Sequence, residues 1–345
     1  MTEFSELIIN GIKITPGTFA SVMLPMPKLY DSTPISMPVH IIRGKTPGPT
    51  LCVTGAIHGD EVNGTEIVRR LLRKPALKKI SGTLIAIPIV NVYGFLLQSR
   101  YLMDRRDLNR SFPGSEQGSL AARLAHVITT EILSQSTHFI DLHTGTLHRE
   151  NLPQVRTDLS MPGIAGLAES FNVPVILNAP LRSGSLRQYA HEKSLPCLLY
   201  EAGESLRFNE TAIDMGVNGI LGVMQKLEMI SIKEPAHKKF TPAFSYASYW
   251  IRAPHSGILR PLKSLGKKVS KGEVLAKIGN PINIEDYPLI SPISGIIVGK
   301  SNLPLVHEGA ALFHIASFEE TTIITEELEY LQEAFIDTSE NFEGI

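Results

Sequence analysis

The chain has 345 residues, 43% of them hydrophobic, with 33 Lys and Arg against 34 Asp and Glu. That is enough apolar material for about two domains and a sizeable core. The even charge excludes a nucleic-acid surface, and no apolar run is long enough to span a bilayer. Ten acidic residues lie between Glu308 and Glu343, with no Lys or Arg after Lys300, so the first 300 residues are net basic, a diffuse bias towards small anions. The start, Met-Thr-Glu-Phe-Ser-Glu, lacks signal-peptide character, so a cytoplasmic location is expected. Cys52 and Cys197 fall in apolar runs and read as small buried hydrophobes.

Residues 8–42 read as short strands on a rim, with turns at Asn10-Gly11 and Pro16-Gly17. Two strands follow, 38–42 and 49–57, then a helix over 62–73 and an apolar strand over 82–90 of the kind covered on both faces. An Arg-rich irregular loop occupies 93–114, longer than ordinary connections. Helical spacing returns over 120–133. A strand over 138–142 runs into His143, and residues 146–161 read as a further loop. A short helix, a strand over 173–177, a helix over 185–193 and a strand over 197–200 complete an alternation that predicts a mixed, mostly parallel α/β sheet with helices on both faces.

Beyond about residue 240 the pattern becomes β-rich and repeats. Ala253-Pro254-His255-Ser256-Gly257 is answered by Ser291-Pro292-Ile293-Ser294-Gly295, and the frame Val269, Gly272, Leu275, Ile278 by Val306, Gly309, Leu312, Ile315. Two copies of one unit are expected to pair into a small two-fold β-sandwich. The domains expected are therefore 1–240, catalytic, and 241–345, all-β with an acidic tail holding one short helix over 326–335.

The chemistry concentrates at strand ends. In Thr54-Gly55-Ala56-Ile57-His58-Gly59-Asp60-Glu61, a strand stops at glycines and delivers an imidazole and a carboxylate three positions apart into a helix start. His143 and Glu201 end two more strands, and ligands of open α/β sheets gather at that edge. Two imidazoles and one carboxylate form the ligand set of a catalytic zinc site that leaves its fourth position for water. Zinc would lower that water's pKa to about 7, and a free carboxylate, for which Glu201 is the candidate, would shuttle the proton. The alternative H-E-x-x-H signature is absent. Arg110, in Asp107-Leu108-Asn109-Arg110, has the planar fork that grips a carboxylate, and a second arginine near the metal would face an oxyanion.

Taken in order, Gly55-x-x-His58-Gly59-x-Glu61, Asp107-Leu108-Asn109-Arg110, Asp141-Leu142-His143 and Glu201 resemble the succinylglutamate desuccinylase/aspartoacylase family, a branch of the zinc carboxypeptidase-like fold. The resemblance implies one zinc per chain on His58, Glu61 and His143, with Glu201 activating water. It also implies Asn109 and Arg110 on the carboxylate of a small-molecule N-acyl amino acid. Arg100 looks like the arginine on the scissile carbonyl, with Arg105 and Arg106 as alternatives, and Arg187 is a further candidate for a polar substrate end. The β-repeat is similar to lipoyl and biotinyl barrel-sandwich domains seen on some bacterial members, but its central hairpin, 279–288, holds no carrier lysine. The expected function is a zinc-dependent deacylase acting on an N-acyl amino acid, as a monomer or a homo-oligomer, without nucleic-acid or membrane partners. The alternatives are a zinc carboxypeptidase of short peptides and a binding or assembly protein with a vestigial site.

Overall fold

The computed structural model describes residues 6–232, 240–282 and 285–318. The strands before the first helix are β1 (Ile8–Ile9), β2 (Ile12–Lys13), β3 (Phe19–Met26), β4 (Ile35–Arg43) and β5 (Thr46–Gly55). Then come α1 (Val62–Leu71), β6 (Ser81–Ile87), α2 (Val92–Leu96), α3 (Leu120–Val127), β7 (His138–Gly145) and β8 (Arg149–Thr157). The alternating region closes with α4 (Ile164–Ser170), β9 (Val175–Asn178), α5 (Leu186–Glu192), β10 (Cys197–Glu204) and α6 (Glu210–Lys226). The β-rich part comprises β11 (Ala243–Ser245), β12 (Ala247–Arg252), β13 (Gly257–Pro261), β14 (Lys268–Val269), β15 (Val274–Gly279), β16 (Asp286–Ile290), β17 (Gly295–Ser301), β18 (Leu305–Val306) and β19 (Ala311–Ser317).

The centre of the main sheet is parallel: β6, β5, β7 and β10 lie side by side in one direction. Antiparallel β4 and β3 extend it on one side and β8 on the other. Alternation along these strands divides their side chains between two cores. Leu51, Val53, Leu84 and Leu142 face one, covered by α1, α4 and α6. Cys52, Ile85, Ile87 and Phe139 face the other, covered by α2, α3 and α5. Strands buried on both faces explain why the sequence reads as near-continuous apolar runs there. The expected fold class holds.

Several elements differ from expectation: α2 occupies the start of the segment read as an irregular loop over 93–114, and β3 and β4 are strands of 8 and 9 residues where short rim strands were expected. The segment read as a loop over 146–161 contains β8, whose Glu150, Asn151, Gln154 and Arg156 break the apolar pattern that marks a central strand. Its backbone is nevertheless paired on both sides, by β10 along one edge and by β17 and then β9 along the other. Helix α6 has no counterpart in the sequence reading. Its contact face carries Gly216 and Gly219, where an added Cβ would come within 2.5 Å of Ile67 and 2.2 Å of Phe171. Beside those glycines Ile213, Val217, Ile220 and Met224 form a buried apolar stripe, while Gly216, Gly219 and Gly222 lower the intrinsic helix propensity.

The two repeats interlock. Within the β-rich part β14 of the first copy pairs with β17 of the second, while β18 of the second pairs with β13 of the first. Likewise β12 pairs with β19 and β16 with β15. This reciprocal exchange gives the expected two-fold sandwich. It is not a free appendage, because β17 continues the main sheet through Gly299, Lys300 and Ser301 opposite Asn151, Glu150 and Arg149 of β8. A second tie is β11, parallel to β9. The acidic tail and its expected helix lie outside the described residues.

Candidate active site

The site forms where β5, β7 and β10 end, on the side of the sheet that faces α3 and α5. After β5 the chain turns sharply, and the left-handed residue is Ala56 (φ 51°) rather than a glycine. The glycines serve space instead: a Cβ on Gly59 would sit 1.9 Å from the Gly94 backbone, and one on Gly55 2.7 Å from the Gly64 backbone. Both contacts are closer than any side chain permits, so the loop carrying His58 is pressed between α1 and α2. Glu61 is the residue that begins α1, one position outside its first turn. On β7, Asp141 and His143 point to the same face, and parallel pairing sets Glu201 of β10 beside His143.

These side chains converge. His58 Nδ1 lies 2.7 Å from Glu61 Oε1, and His143 Nδ1 lies 2.8 Å from Glu61 Oε2. The two rings meet edge to face with centroids 5.1 Å apart. The outward nitrogens are also held: His58 Nε2 by Asp107 at 3.1 Å, and His143 Nε2 by Asp141 at 2.7 Å, itself fixed by the Thr54 hydroxyl at 2.8 Å. Burial opposes charge on Glu61, yet the two imidazoles overcome it and hold its carboxyl far below the ordinary range. Burial works against protonation of His143 too, but Asp141 and Glu61 raise its pKa well above the usual histidine value.

Glu201, half-buried, faces this cluster and is oriented from β8: Asn151 Nδ2 donates to Oε2, and Arg156 lies 3.0 Å from Oε1. Neither partner was legible beforehand, since both belong to the strand read as a loop. Arg100 reaches in from the loop after α2, with one nitrogen 2.9 Å from Asp107 and another 3.4 Å from Glu61 and 3.2 Å from His58 Nδ1. Arg105 and Arg106 stay exposed and outside the cavity. Buried Asn109 is locked by accepting from the Leu186 N–H at 2.8 Å, and exposed Arg110 borders the opening. Arg187 also borders it, but donates to the carbonyls of Ala179 (2.7 Å) and Pro180 (2.6 Å), so it clamps the loop before α5. The cavity above these groups measures about 490 Å³ and continues onto Ser248, Trp250 and Arg252 of β12 and His314 of β19.

The donor set suits a metal ion. One ligand atom each from His58, Glu61 and His143 lies within 4.8 Å of the others, all three residues buried. Each imidazole also turns its remaining nitrogen to a carboxylate, the outer-shell arrangement that orients metal-ligating histidines.

Fold and site together define the class, a hydrolase with a His-Glu-His centre at the carboxyl edge of a mixed α/β sheet. The chain belongs to the succinylglutamate desuccinylase/aspartoacylase family, whose catalytic-domain model matches residues 47–227. It is 26% identical over 256 residues to the N-alpha-acetyl-L-2,4-diaminobutyric acid deacetylase of Halomonas elongata, a match covering 71% of this chain and 74% of that protein. Its fold is similar to a succinylglutamate desuccinylase/aspartoacylase from Rhodobacter sphaeroides, with TM-score 0.77, 22% identity, and 87% of this chain and 95% of that one covered. It is also similar to the product-bound ectoine utilization protein EutE (DoeB) of Ruegeria pomeroyi, with TM-score 0.78, 20% identity and the same coverage of 87% and 95%. No helix among the described residues is long and apolar enough to cross a membrane.

Proposed function

We propose that the protein is a zinc-dependent deacylase that hydrolyses the amide bond of an N-acyl amino acid. The observation that carries this reading is the convergence of His58 Nδ1, Glu61 and His143 Nδ1 on one buried point beside an unligated carboxylate, Glu201. Bound by those three residues, zinc would supply a Lewis acid for the scissile carbonyl and lower the pKa of a water at the site to about 7. Asp107 and Asp141 hold the imidazoles in the orientation that leaves both Nδ1 atoms facing inward.

Glu201 takes the proton from the attacking water and returns it to the amine nitrogen as the C–N bond breaks. Asn151 and Arg156 fix its two oxygens, so the transfer starts from one geometry. Arg100 directs a guanidinium nitrogen to the point where the ligand atoms meet, where it stabilises the charge growing on the carbonyl oxygen. Arg110 grips the substrate's free carboxylate at the opening, with Asn109 as its neighbour. The catalytic groups thus belong to the 1–240 domain, and Ser248, Trp250, Arg252, Ala311 and His314 of the 241–345 domain supply the far wall of the cavity.

Metal analysis of the purified protein, followed by amine release from N-acyl amino acids, N-alpha-acetyl-2,4-diaminobutyrate among them, and from unblocked dipeptides, tests the reading. Stoichiometric zinc with turnover of the N-acyl compounds is expected. Cleavage of dipeptides alone would make it a carboxypeptidase, and no zinc with no turnover would sink the enzyme reading.

A further inference from the structure

The main sheet ends at β3, which among the described residues pairs on one side only, with β4. Its residues, Phe19 to Met26, include no ionisable side chain. Edge strands are ordinarily blunted by charge, and β12 at the opposite end of the sheet carries Arg252. Along β3, Val22, Leu24 and Met26 are buried, whereas Phe19 and Met23 are 61% and 54% exposed. Ile8 and Ile12 on the hairpin of β1 and β2, and Tyr30 in the turn after β3, are exposed as well. Scaled by side-chain size, these five expose roughly 600 Å² per copy, most of the about 800 Å² that each partner gives to a standard interface.

The backbone of this edge has a fixed phase. The Arg43 N–H donates to the Thr18 carbonyl at 2.9 Å, so residue 18 and every second residue after it direct their N–H and C=O groups at β4. Phe19, Ser21, Met23 and Pro25 therefore direct theirs outward. Pro25 suits that phase, because it has no N–H and the ladder with β4 needs none there. Among the described residues, one hydrogen bond reaches the outward groups, from the Asn10 amide to the Met23 carbonyl at 3.4 Å.

A second copy laid antiparallel meets these groups with its own, and only outward residues can pair with outward residues. With a two-fold axis at Ser21, Phe19 faces Met23 of the second copy and Ser21 faces Ser21, so every outward donor and acceptor of residues 19, 21 and 23 is used. An axis at residue 22 would set the Phe19 carbonyl against Pro25, which has no N–H to give. One at residue 20 would set Met23 against Gly17, whose N–H is committed to the Arg43 carbonyl at 2.9 Å. At the Ser21 axis the Met23 sulfur of one copy lies beside the Phe19 ring of the other, a favourable contact. That ring is backed by His40, stacked on it at 6.4 Å and 14°.

We propose that the protein is a homodimer joined edge to edge along β3, antiparallel about a two-fold axis at Ser21, so that the two main sheets run on as one. Strands β4, β6 and β5 separate β3 from β7, which keeps the dimer contact away from the catalytic groups.

Sedimentation of the full chain at micromolar concentration is expected to show a dimer, and Phe19→Lys/Met23→Lys a monomer, because the double change sets like charges directly opposite one another. Unchanged circular dichroism and zinc content in that variant show that its fold survives. Oxidation of single-cysteine variants tests the register separately. Ser21→Cys should give a covalent dimer, since directly opposed residues of a hydrogen-bonded pair have Cα atoms about 5.5 Å apart, within disulfide reach. Phe19→Cys should not, its two copies lying about 14 Å apart. Native Cys52 and Cys197 are buried and stay silent. A monomeric wild type overturns the proposal. So does a dimer that survives the lysine pair, or one that Ser21→Cys fails to capture in preference to Phe19→Cys.

Discussion

The two ends of the cavity are built on opposite principles. Around His58, Glu61 and His143 each polar atom has a designated partner inside the protein, and those partners have partners of their own, as in the line from Thr54 through Asp141 and His143 to Glu61. On the far wall, Arg149 of β8 and Arg252 of β12 face the cavity with a ring and a carbonyl for company and, among the described residues, no ion-paired carboxylate. A group whose needs are met internally is set to act on whatever arrives. A group left without its counter-charge waits for the ligand to bring one.

The largest effects should come from breaking the self-sufficient end. His143→Ala removes one of the three proposed ligands and the donor of the Asp141 contact, so zinc retention should vanish from the folded protein. Near-stoichiometric metal in that variant would refute the ligand assignment. Glu201→Gln should keep the metal yet lower kcat by about 10²- to 10⁴-fold, because an amide cannot take up the proton. An unaltered kcat would move the base elsewhere.

A mid-sized effect should come from Arg110. Its Ala variant is expected to lose about 2 to 5 kcal/mol of transition-state binding, roughly 30- to 5000-fold in kcat/KM. Amidating the substrate's α-carboxylate should cost the wild type a similar factor and the variant almost nothing more. If the amide penalty persists in full in Arg110→Ala, another group holds that carboxylate. Asp141→Asn, one step back from the metal, should weaken zinc affinity by about 10- to 100-fold without removing it, as measured by competition with a chelator.

The smallest effect sharpens the contrast from the other end. Burial, reinforced by Arg156 and Arg182, pushes the His314 pKa down to about 3. The ring is thus neutral in the folded protein at every pH above that value, while in the unfolded chain it takes up a proton near its ordinary 6.5. Stability should be unaffected by this residue above pH 6.5 and fall as pH drops below it, at up to about 1.4 kcal/mol per pH unit. Denaturant titrations at pH 6.5 and pH 5 should therefore show a steeper loss in the wild type than in His314→Asn. Parallel losses would mean that the histidine is charged in the fold.

How much was legible in the sequence divides along the same line. His58, Glu61, His143 and Glu201 each end or follow a strand whose both faces are buried, so an unbroken apolar run announces the strand and its interruption announces the site. The β-repeat was visible because its two copies repeat each other, which needs no knowledge of the fold. Asn151 and Arg156 were hidden because β8 carries cavity-facing polar groups in mid-strand, and such a strand has the composition of a loop. Helix α6 carries a readable apolar stripe in Ile213, Val217, Ile220 and Met224, but its three interior glycines lower helix propensity and argue locally against the helix that the periodicity supports. Trp250, Arg252 and His314 could not be placed at the cavity at all, because nothing local says that β17 will lie against β8. Arg187 was legible as a cavity residue, but its two carbonyl bonds depend on the turn of the preceding loop.

The pairing of β17 with β8 also has a bearing on the order in which the protein comes into being. A ribosome releases His58, Glu61, His143 and Glu201 well before β17 and β19, so a nascent chain can carry all four groups while residues 149–151 of β8 still have a bare hydrogen-bonding edge and the cavity lacks its far side. Such an edge invites pairing with another chain. β17 is thus the covering of that edge and β19 the completion of the pocket, and a chain arrested before residue 295 would be at once sticky and indiscriminate.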